Sequence, residues 1–349
     1  MKKITKLFLV ILSAASLNIS AFAGELSVTG GVTATTSLNG EGGTGKALGV
    51  SNELQFNANG ELDSGIAWKW QTEYDNAGGV NDDTRLELST ASYGTLGFYI
   101  SENDISSKLG YGIGALGVGS DYSGPTSVLW GTTMNSYNNL GYSLPADLLP
   151  YGITAKVAYA PNLSDAAGAS AKNKGAVQNR AVGTKAYAAR IDANPIEGLT
   201  MGLDGMTTHG LDKTVSKYQD ASLGAFVKYK VGSFTLGAAK AGYQPTQTAT
   251  TVVGTTTYDT NQYGVQFALN DAISLSYSEE VSTQTVGAQI AGQAVTTAAV
   301  DTEMKVKHMQ AAYTVGGATL GIAIADADNS DYTTNNDEKT TMLSLAIAF

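Results

Sequence analysis

The stretch that decides the fold is TTMLSLAIAF, Thr340 to Phe349. Leu343, Leu345, Ile347 and Phe349 share one parity, and Ser344, Ala346 and Ala348 share the other. Successive side chains of an extended chain point to opposite faces, so one face is fully apolar and the other small or polar. A terminal segment is ordered only when something ties it down, and a sheet partner does that for a strand. The stretch therefore predicts a sheet that needs this strand, and something that covers its apolar face.

The same alternation recurs along the chain. LSVTGGVTATTSL sets Leu26, Val28, Val32, Ala34 and Leu38 against Ser27, Thr29, Thr33 and Thr35. GIAWKWQTEY sets Ile66, Trp68, Trp70 and Tyr74 against Lys69, Gln71 and Glu73. TNQYGVQFALN, AISLSYS and ATLGIAIA repeat the pattern, and period two beats period 3.6 in each window. About sixteen strands result. The first eight are expected near 26–38, 48–60, 64–75, 83–91, 94–101, 136–144, 151–161 and 184–193. The rest are expected near 198–207, 219–231, 233–243, 258–270, 272–284, 302–315, 317–326 and 339–349. The 302–315 run has the weakest pattern, because Lys305, Lys307 and His308 blur its parity.

The connections alternate as well. Val231-Gly232-Ser233, Asn270-Asp271, Val315-Gly316-Gly317 and Ala193-Asn194-Pro195 are turn-sized and carry turn residues. Residues 162–183, 244–257 and 285–301 are long and polar. Short turns at one rim and long loops at the other describe an antiparallel up-and-down meander with no internal domain break. Polar residues oppose the apolar face in nearly every strand. A water-filled closed barrel accounts for that, since lipid meets the apolar face, water meets the other, and closure leaves no unpaired backbone. An even count near sixteen is wide enough to leave an aqueous channel.

The beginning of the chain sets the compartment. MKKITKLFLVILSAASLNISAFAGEL combines Lys2, Lys3 and Lys6 with an apolar run from Leu7 to Leu17 and small residues at Ala21 and Ala23. That is a secretory leader over residues 1–23, too short for a membrane anchor, with a barrel domain over 24–349. Cysteine is absent, which removes disulfide scaffolds and thiol chemistry. Without the three leader lysines, 18 basic residues face 31 acidic ones, a formal charge of −13. Such a chain is a poor partner for nucleic acid. Six prolines, 41 glycines and 18 tyrosines suit strands and turns rather than helices.

Motifs that suggest chemistry lack their context. GEGGTGK (Gly40 to Lys46) has P-loop spacing, but Ala47 stands where a magnesium-binding hydroxyl belongs. GIGALG (Gly112 to Gly117) spells a dinucleotide fingerprint outside any βαβ unit. Both read as loops. His209 and His308 are the only histidines and form no local catalytic or zinc signature, so they are expected to be solvated or lumenal. DADNSDYTTNNDE (Asp326 to Glu338) starts like a calcium loop but lacks its central glycine, and reads as an outer loop with weak divalent-ion binding left open. No enzyme activity, cofactor or metal site is expected.

At this point the chain resembles the general porins of the Gram-negative outer membrane, the trimeric sixteen-stranded diffusion channels. SNELQFNANGELDSGIAWKWQTEYD resembles the family's second hairpin, and RLELSTASYGTLGFYIS the next. An insertion of roughly Glu102 to Asn135 follows, before NNLGYSLPADLLPYGITAKVAYAP resumes strands. The resemblance implies that this third long loop folds into the barrel and narrows the pore. It also implies a homotrimer in outer-membrane lipid and lipopolysaccharide. The barrel-assembly machinery would read the terminal aromatic Phe349 as its signal. The chain departs from the family in lacking a Pro-Glu-Phe-Gly-like turn in this loop, and its row of wall arginines is thin.

Lys69, Arg85 and Lys156 have lumenal parity, and the inserted loop carries Glu102, Asp104 and Asp121. Facing charges of opposite sign at a constriction set a transverse field and a size limit. These six residues are the candidate constriction. The expected function is passive diffusion of ions and small hydrophilic solutes, with a weak cation preference from the acidic surround. A nutrient-selective channel with a lumenal binding track, or an exported β-sandwich adhesin or lectin, stay open as alternatives.

Overall fold

The computed structural model describes residues 24–40, 47–75, 79–118, 128–163, 185–209, 216–218, 220–245, 247–248, 256–287, 289–291 and 294–349. The leader, Asp121 and most of the P-loop-like stretch lie outside the described residues.

Sixteen strands form one closed antiparallel barrel. The first eight are β1 (Glu25–Gly40), β2 (Leu48–Glu61), β3 (Ala67–Asp75), β4 (Gly79–Thr90), β5 (Gly94–Ile100), β6 (Asn139–Ser143), β7 (Thr154–Ala160) and β8 (Lys185–Ala193). They continue as β9 (Leu199–His209), β11 (Ala221–Val231), β12 (Phe234–Gln244), β14 (Thr256–Ala268), β15 (Ile273–Val286), β18 (Val300–Val315), β19 (Ala318–Asp328) and β20 (Glu338–Ala348). Each pairs with its neighbours along the chain, and β20 pairs with β1. Two small two-stranded sheets decorate the long loops: β10 (Ser216–Tyr218) with β13 (Gln247–Thr248), which joins two different loops, and the hairpin of β16 (Gln289–Ala291) with β17 (Ala294–Thr297). No described helix is long and apolar enough to cross a membrane.

All sixteen barrel strands stand where the alternation places them. The last one closes the ring: Gly30 and Phe349 exchange both backbone hydrogen bonds, at 2.8 and 2.9 Å. Closure gives every barrel strand two hydrogen-bonded neighbours, which overturns the two-sheet sandwich that an adhesin or lectin would have used.

Polarity is inverted relative to a water-soluble fold. Leu26, Val28, Leu203, Leu223 and Tyr263 point outward and are each more than half exposed, whereas Gln262, Glu280 and Ser282 are fully buried on the lumenal side. Outward aromatics gather near the two rims, with the Phe234 and Phe267 rings 4.7 Å apart by the short turns and Tyr159 and Tyr187 5.3 Å apart toward the long loops. That arrangement is a girdled apolar band, the exterior a bilayer requires.

The weakly patterned run is β18, one of the longest strands. Met304, Val306, His308, Gln310 and Ala312 line its inner face, and Lys305 and Lys307 point out. Its confusing charges are paired on the exterior: Lys305 with Glu279 at 2.6 Å, Lys307 with Asp328 at 4.0 Å. Directly across successive strands, Glu279, Lys307, Asp326 and Lys339 alternate in sign. Turn chemistry is equally local. Gly316 and Gly317 both have positive φ, 58° and 83°, the pairing that a two-residue hairpin loop needs.

Depth along a strand sets the cost of a misplaced charge. Val265 faces out two residues further from the short turn than Phe267, opposite Leu236 and Tyr277. Phe267 and Leu275 pair with each other beside a short turn. Val265→Arg should therefore destabilise by about 2–4 kcal/mol and Leu275→Arg by about 0–1 kcal/mol. Gln266→Arg, one residue away but lumenal, should be mild. Urea-induced unfolding in lipid vesicles measures all three; equal damage at positions 265 and 266 would contradict the assignment of faces.

Candidate functional site

Between β5 and β6 the chain turns into the barrel. Ser101 and Asn103 take positive φ values of 58° and 75°, which bend the segment inward. Asn139, buried at the start of β6, ties the two ends of the loop together. Its Nδ2 donates to the Glu102 and Tyr137 carbonyls at 3.0 and 2.9 Å, and its Oδ1 accepts from Asn103 at 2.8 Å. Asp104 accepts a hydrogen bond from the Ser106 N–H at 2.8 Å, just ahead of the short helix Ser107–Tyr111.

From there the loop follows the inner wall. Arg190 donates to the Ser106 carbonyl at 2.7 Å and stacks over Phe226, its guanidinium 5.2 Å from the ring centroid. The Gly112–Gly117 stretch that mimics a dinucleotide fingerprint lies against the wall instead. Ala115 N–H donates to Ser276 Oγ at 2.8 Å and Leu116 N–H to Gln310 Oε1 at 2.9 Å.

The wall is shaped for this path. A Cβ at Gly264 would stand 2.4 Å from the Tyr111 hydroxyl and 2.7 Å from Ile113. One at Gly237 would meet Ile113 at 2.7 Å, and one at Gly321 would meet Leu116 at 2.7 Å. The returning limb is held by Thr260, which donates to the Leu129 carbonyl at 2.8 Å, and by the hydroxyl of Tyr332, which accepts from Leu129 N–H at 3.2 Å. Tyr332 belongs to the outer loop between β19 and β20, residues 329–337, which thus pins the pore loop from above. Met134 packs among Ala158, Ala160, Ala186 and Ala188.

Beside the entering loop lies a cleft of about 490 Å³. Asp83, Arg85, Glu87, Tyr99, Ser143 and Lys156 line it from the wall, and Glu102, Asn103, Asp104 and Asn135 from the loop. Glu102 is the centre of its polar network. It pairs with Arg85 at 3.3 Å and accepts from Gln71 at 2.7 Å. Burial pushes the Glu102 carboxyl up to about 7, against the opposing pull of Arg85 and with help from the charges of Asp83 and Glu87.

Of the sequence candidates, Arg85, Lys156, Glu102 and Asp104 share this cleft. Lys69 lies opposite Glu87, one rung nearer the short-turn rim, and does not line it. The wall carries more basic groups than its sequence suggested. Arg190 and Lys228 also face inward, Arg190 under the entering loop and Lys228 beside Gly112. Parity could have found them, since Arg190 shares the inward phase of Ala186 and Ala188, as Glu87 shares that of Arg85. Asn139 and the glycine strip carry no local signal. His308 is lumenal in parity but buried beneath the loop, whereas His209 faces outward against Tyr187.

The fold matches solved structures of an outer membrane protein and of porins. OmpT, an outer membrane protein of Vibrio cholerae, is 11% identical, with 96% of this chain and 100% of that one covered and a TM-score of 0.66. A porin refined at 1.8 Å resolution is 14% identical, covering 93% and 100%, with a TM-score of 0.64. An anion-selective porin from Comamonas acidovorans is 13% identical, covering 93% and 100%, with a TM-score of 0.63. No family model matches the chain, and no curated protein matches its sequence. The class that the architecture defines is the sixteen-stranded general-porin barrel with an inward-folded loop. At these identities the likeness is one of fold.

Because Gly264 makes room for Tyr111 and Ile113, Gly264→Val should push the loop off the wall at a cost of about 1–3 kcal/mol. Limited tryptic cleavage after Lys108, in the wall-packed helix, reads the displacement. Cleavage as slow as in the unaltered protein would show that the loop does not depend on this gap.

Proposed function

We propose that the chain is a porin of the Gram-negative outer membrane, a passive channel for ions and small hydrophilic solutes, with no chemistry and no cofactor. The observation that carries this reading is the cleft between the inward-folded loop and the wall, bordered by charged groups of both signs. Arg85, Lys156, Glu102 and Asp104 act there as the constriction, with Lys69 on the approach from the short-turn side; Asp121 belongs to the same loop. Two of the matched Vibrio cholerae structures are described as an outer membrane protein, one of them in trimer form at 13% identity and a TM-score of 0.66. The trimer form supports a homotrimer, which we place in outer-membrane lipid and lipopolysaccharide.

The charge census gives the sign of the selectivity. Asp83 and Glu87 on the wall and Glu102 and Asp104 on the loop outnumber Arg85 and Lys156 around the cleft, an excess of carboxylates. The acidic chain adds to it at the mouth, over a screening length of about 8–10 Å at physiological salt. Cations therefore pass somewhat better than anions, the reverse of the Comamonas porin's selectivity. A nutrient-selective channel would instead use lumenal aromatics such as Tyr243 and Tyr258, stacked 5.9 Å apart, as a binding track.

Reversal potentials under a salt gradient in planar bilayers test the sign. Potassium should pass better than chloride, with a preference that fades as salt rises. Glu102 is neutral below about pH 7 and charged above it. Cation preference should therefore grow as pH rises through 7, and Glu102→Gln should flatten that rise. Chloride passing better at pH 8 would overturn the assignment. Block of the current by a sugar, an amino acid or phosphate would favour the nutrient-selective channel.

Assembly gives a second test. Phe349 ends the closing strand, with its side chain exposed on the exterior, and we assign it as the signal read by the barrel-assembly machinery. Deleting it should leave a chain that is exported and cleaved but accumulates in the periplasm. Heat-modifiable trimers at normal levels in the outer membrane of the deletion strain would refute that role.

A further inference from the structure

Four lumenal residues stand in one rung at the root of the pore loop. Gln71 on β3 lies directly across from Arg85 on β4, Arg85 from Tyr99 on β5, and Tyr99 from Asn139 on β6. Three of the four hold Glu102. Asn139 donates to its backbone carbonyl at 3.0 Å, Arg85 to its Oε2 at 3.3 Å, and Gln71 Nε2 to its Oε1 at 2.7 Å. Tyr99 donates to Glu87 instead, at 2.9 Å.

The two grips on the carboxylate are unequal. Hydrogen bonds to an ionised carboxylate run to about 2.7–2.9 Å, so the contact from Gln71 is full length and that from Arg85 is stretched. Gln71 is also only 4% exposed, so water competes little for its amide, whereas the Arg85 side chain is 37% exposed. A carboxylate held at both oxygens loses its rotation, and its charge stays in one place beside the cleft. An amide can serve either protonation state, donating to the carboxylate or, turned over, accepting from the acid. The bond to the charged form is the stronger of the two, so this contact favours a charged Glu102.

We propose that Gln71 is a positioning residue of the constriction: it fixes the Glu102 side chain against the wall and so sets how the cleft presents its central negative charge. Gln71 does not itself line the cleft, and it acts only through Glu102. The other groups around that carboxyl act by charge. Arg85 favours its ionised form, Asp83 and Glu87 oppose it, and Asp104, Tyr99 and Lys156 border the same cleft. On β3 itself Lys69 and Glu73 flank Gln71 on the same face. Nothing in the sequence marks Gln71, which alternates with its neighbours like any lumenal polar residue. Only the inward turn of the loop brings Glu102 to it.

The test follows the Glu102 carboxyl by NMR in the mature barrel, refolded in detergent with isotope-labelled glutamate. The Glu102 signal is the one lost in Glu102→Gln, and its midpoint should lie at about pH 7. Gln71→Leu removes the donor at similar volume and should raise that midpoint by roughly half to one pH unit. Gln71→Lys puts a cation there and should lower it by about one unit or more. In planar bilayers, the pH at which cation preference grows should move with the carboxyl in each variant. A Gln71→Leu barrel with an unchanged Glu102 midpoint would overturn the proposal. So would a carboxyl that shifts while the reversal potential keeps its own midpoint. Barrel formation is checked by the heat-modifiable gel shift, and should Gln71→Leu not fold, Gln71→Lys decides by the same two readings. The proposal rests on the channel reading, but the carboxyl signal needs no current. A barrel that shows the shift and passes no ions fails the channel reading alone.

Discussion

Backbone hydrogen bonding in a solvent that offers none is the constraint on which the structure depends. Within a bilayer every peptide N–H and C=O must find its partner inside the protein, so a sheet can cross only if it has no edge. The pairing of β1 with β20, continued by the two hydrogen bonds between Gly30 and Phe349, removes that edge. The inverted polarity follows. Lipid does not drive side chains inward, so leucine, valine and tyrosine stay outside. The interior goes to Gln, Glu, Ser and Thr, which in a soluble fold would cover the surface.

A hollow fold has little interior to pack, and the pore loop supplies what there is. The buried apolar clusters lie where residues from this loop meet the wall: Tyr111, Ile113 and Val118 against Phe226, Ala239 and Val306, and Ile105 and Met134 against alanines of β7 and β8. Close packing on a pleated wall requires small residues on the wall side, and the glycines and alanines there provide the room. Position follows from packing. The loop lies where the wall is small and stands away from it where Arg85, Glu87, Tyr99 and Lys156 project, and the cleft is the space between.

Some lumenal residues consequently have two roles. Ser276 looks like an interchangeable polar residue on an inward face, yet it accepts the Ala115 N–H and so holds the loop. Gln310 does the same for Leu116. Tyr332 lies in a loop whose carboxylates suggest calcium, but its contribution is a hydroxyl that reaches Leu129 and Ser282. None of these roles is local. Each links residues fifty or more positions apart.

What the sequence determined by itself was the element pattern: sixteen strands, their faces, the short and long rims, and the closing role of the last strand. That information is legible because it has period two and because the environment on each face is uniform, lipid or water, along the whole strand. Arg85, Lys156, Glu102 and Asp104, picked out from the sequence, all border one cleft. Only the tertiary structure decided which of them meet. Lys69 and Arg85 share a parity, but register puts Lys69 opposite Glu87 and outside the cleft lining, while Arg85 reaches Glu102. The cleft, the glycine strip and the burial of His308 all depend on where a loop from one side of the barrel lies on the other. Contacts across a lumen are set by closure and packing, and no local periodicity encodes them.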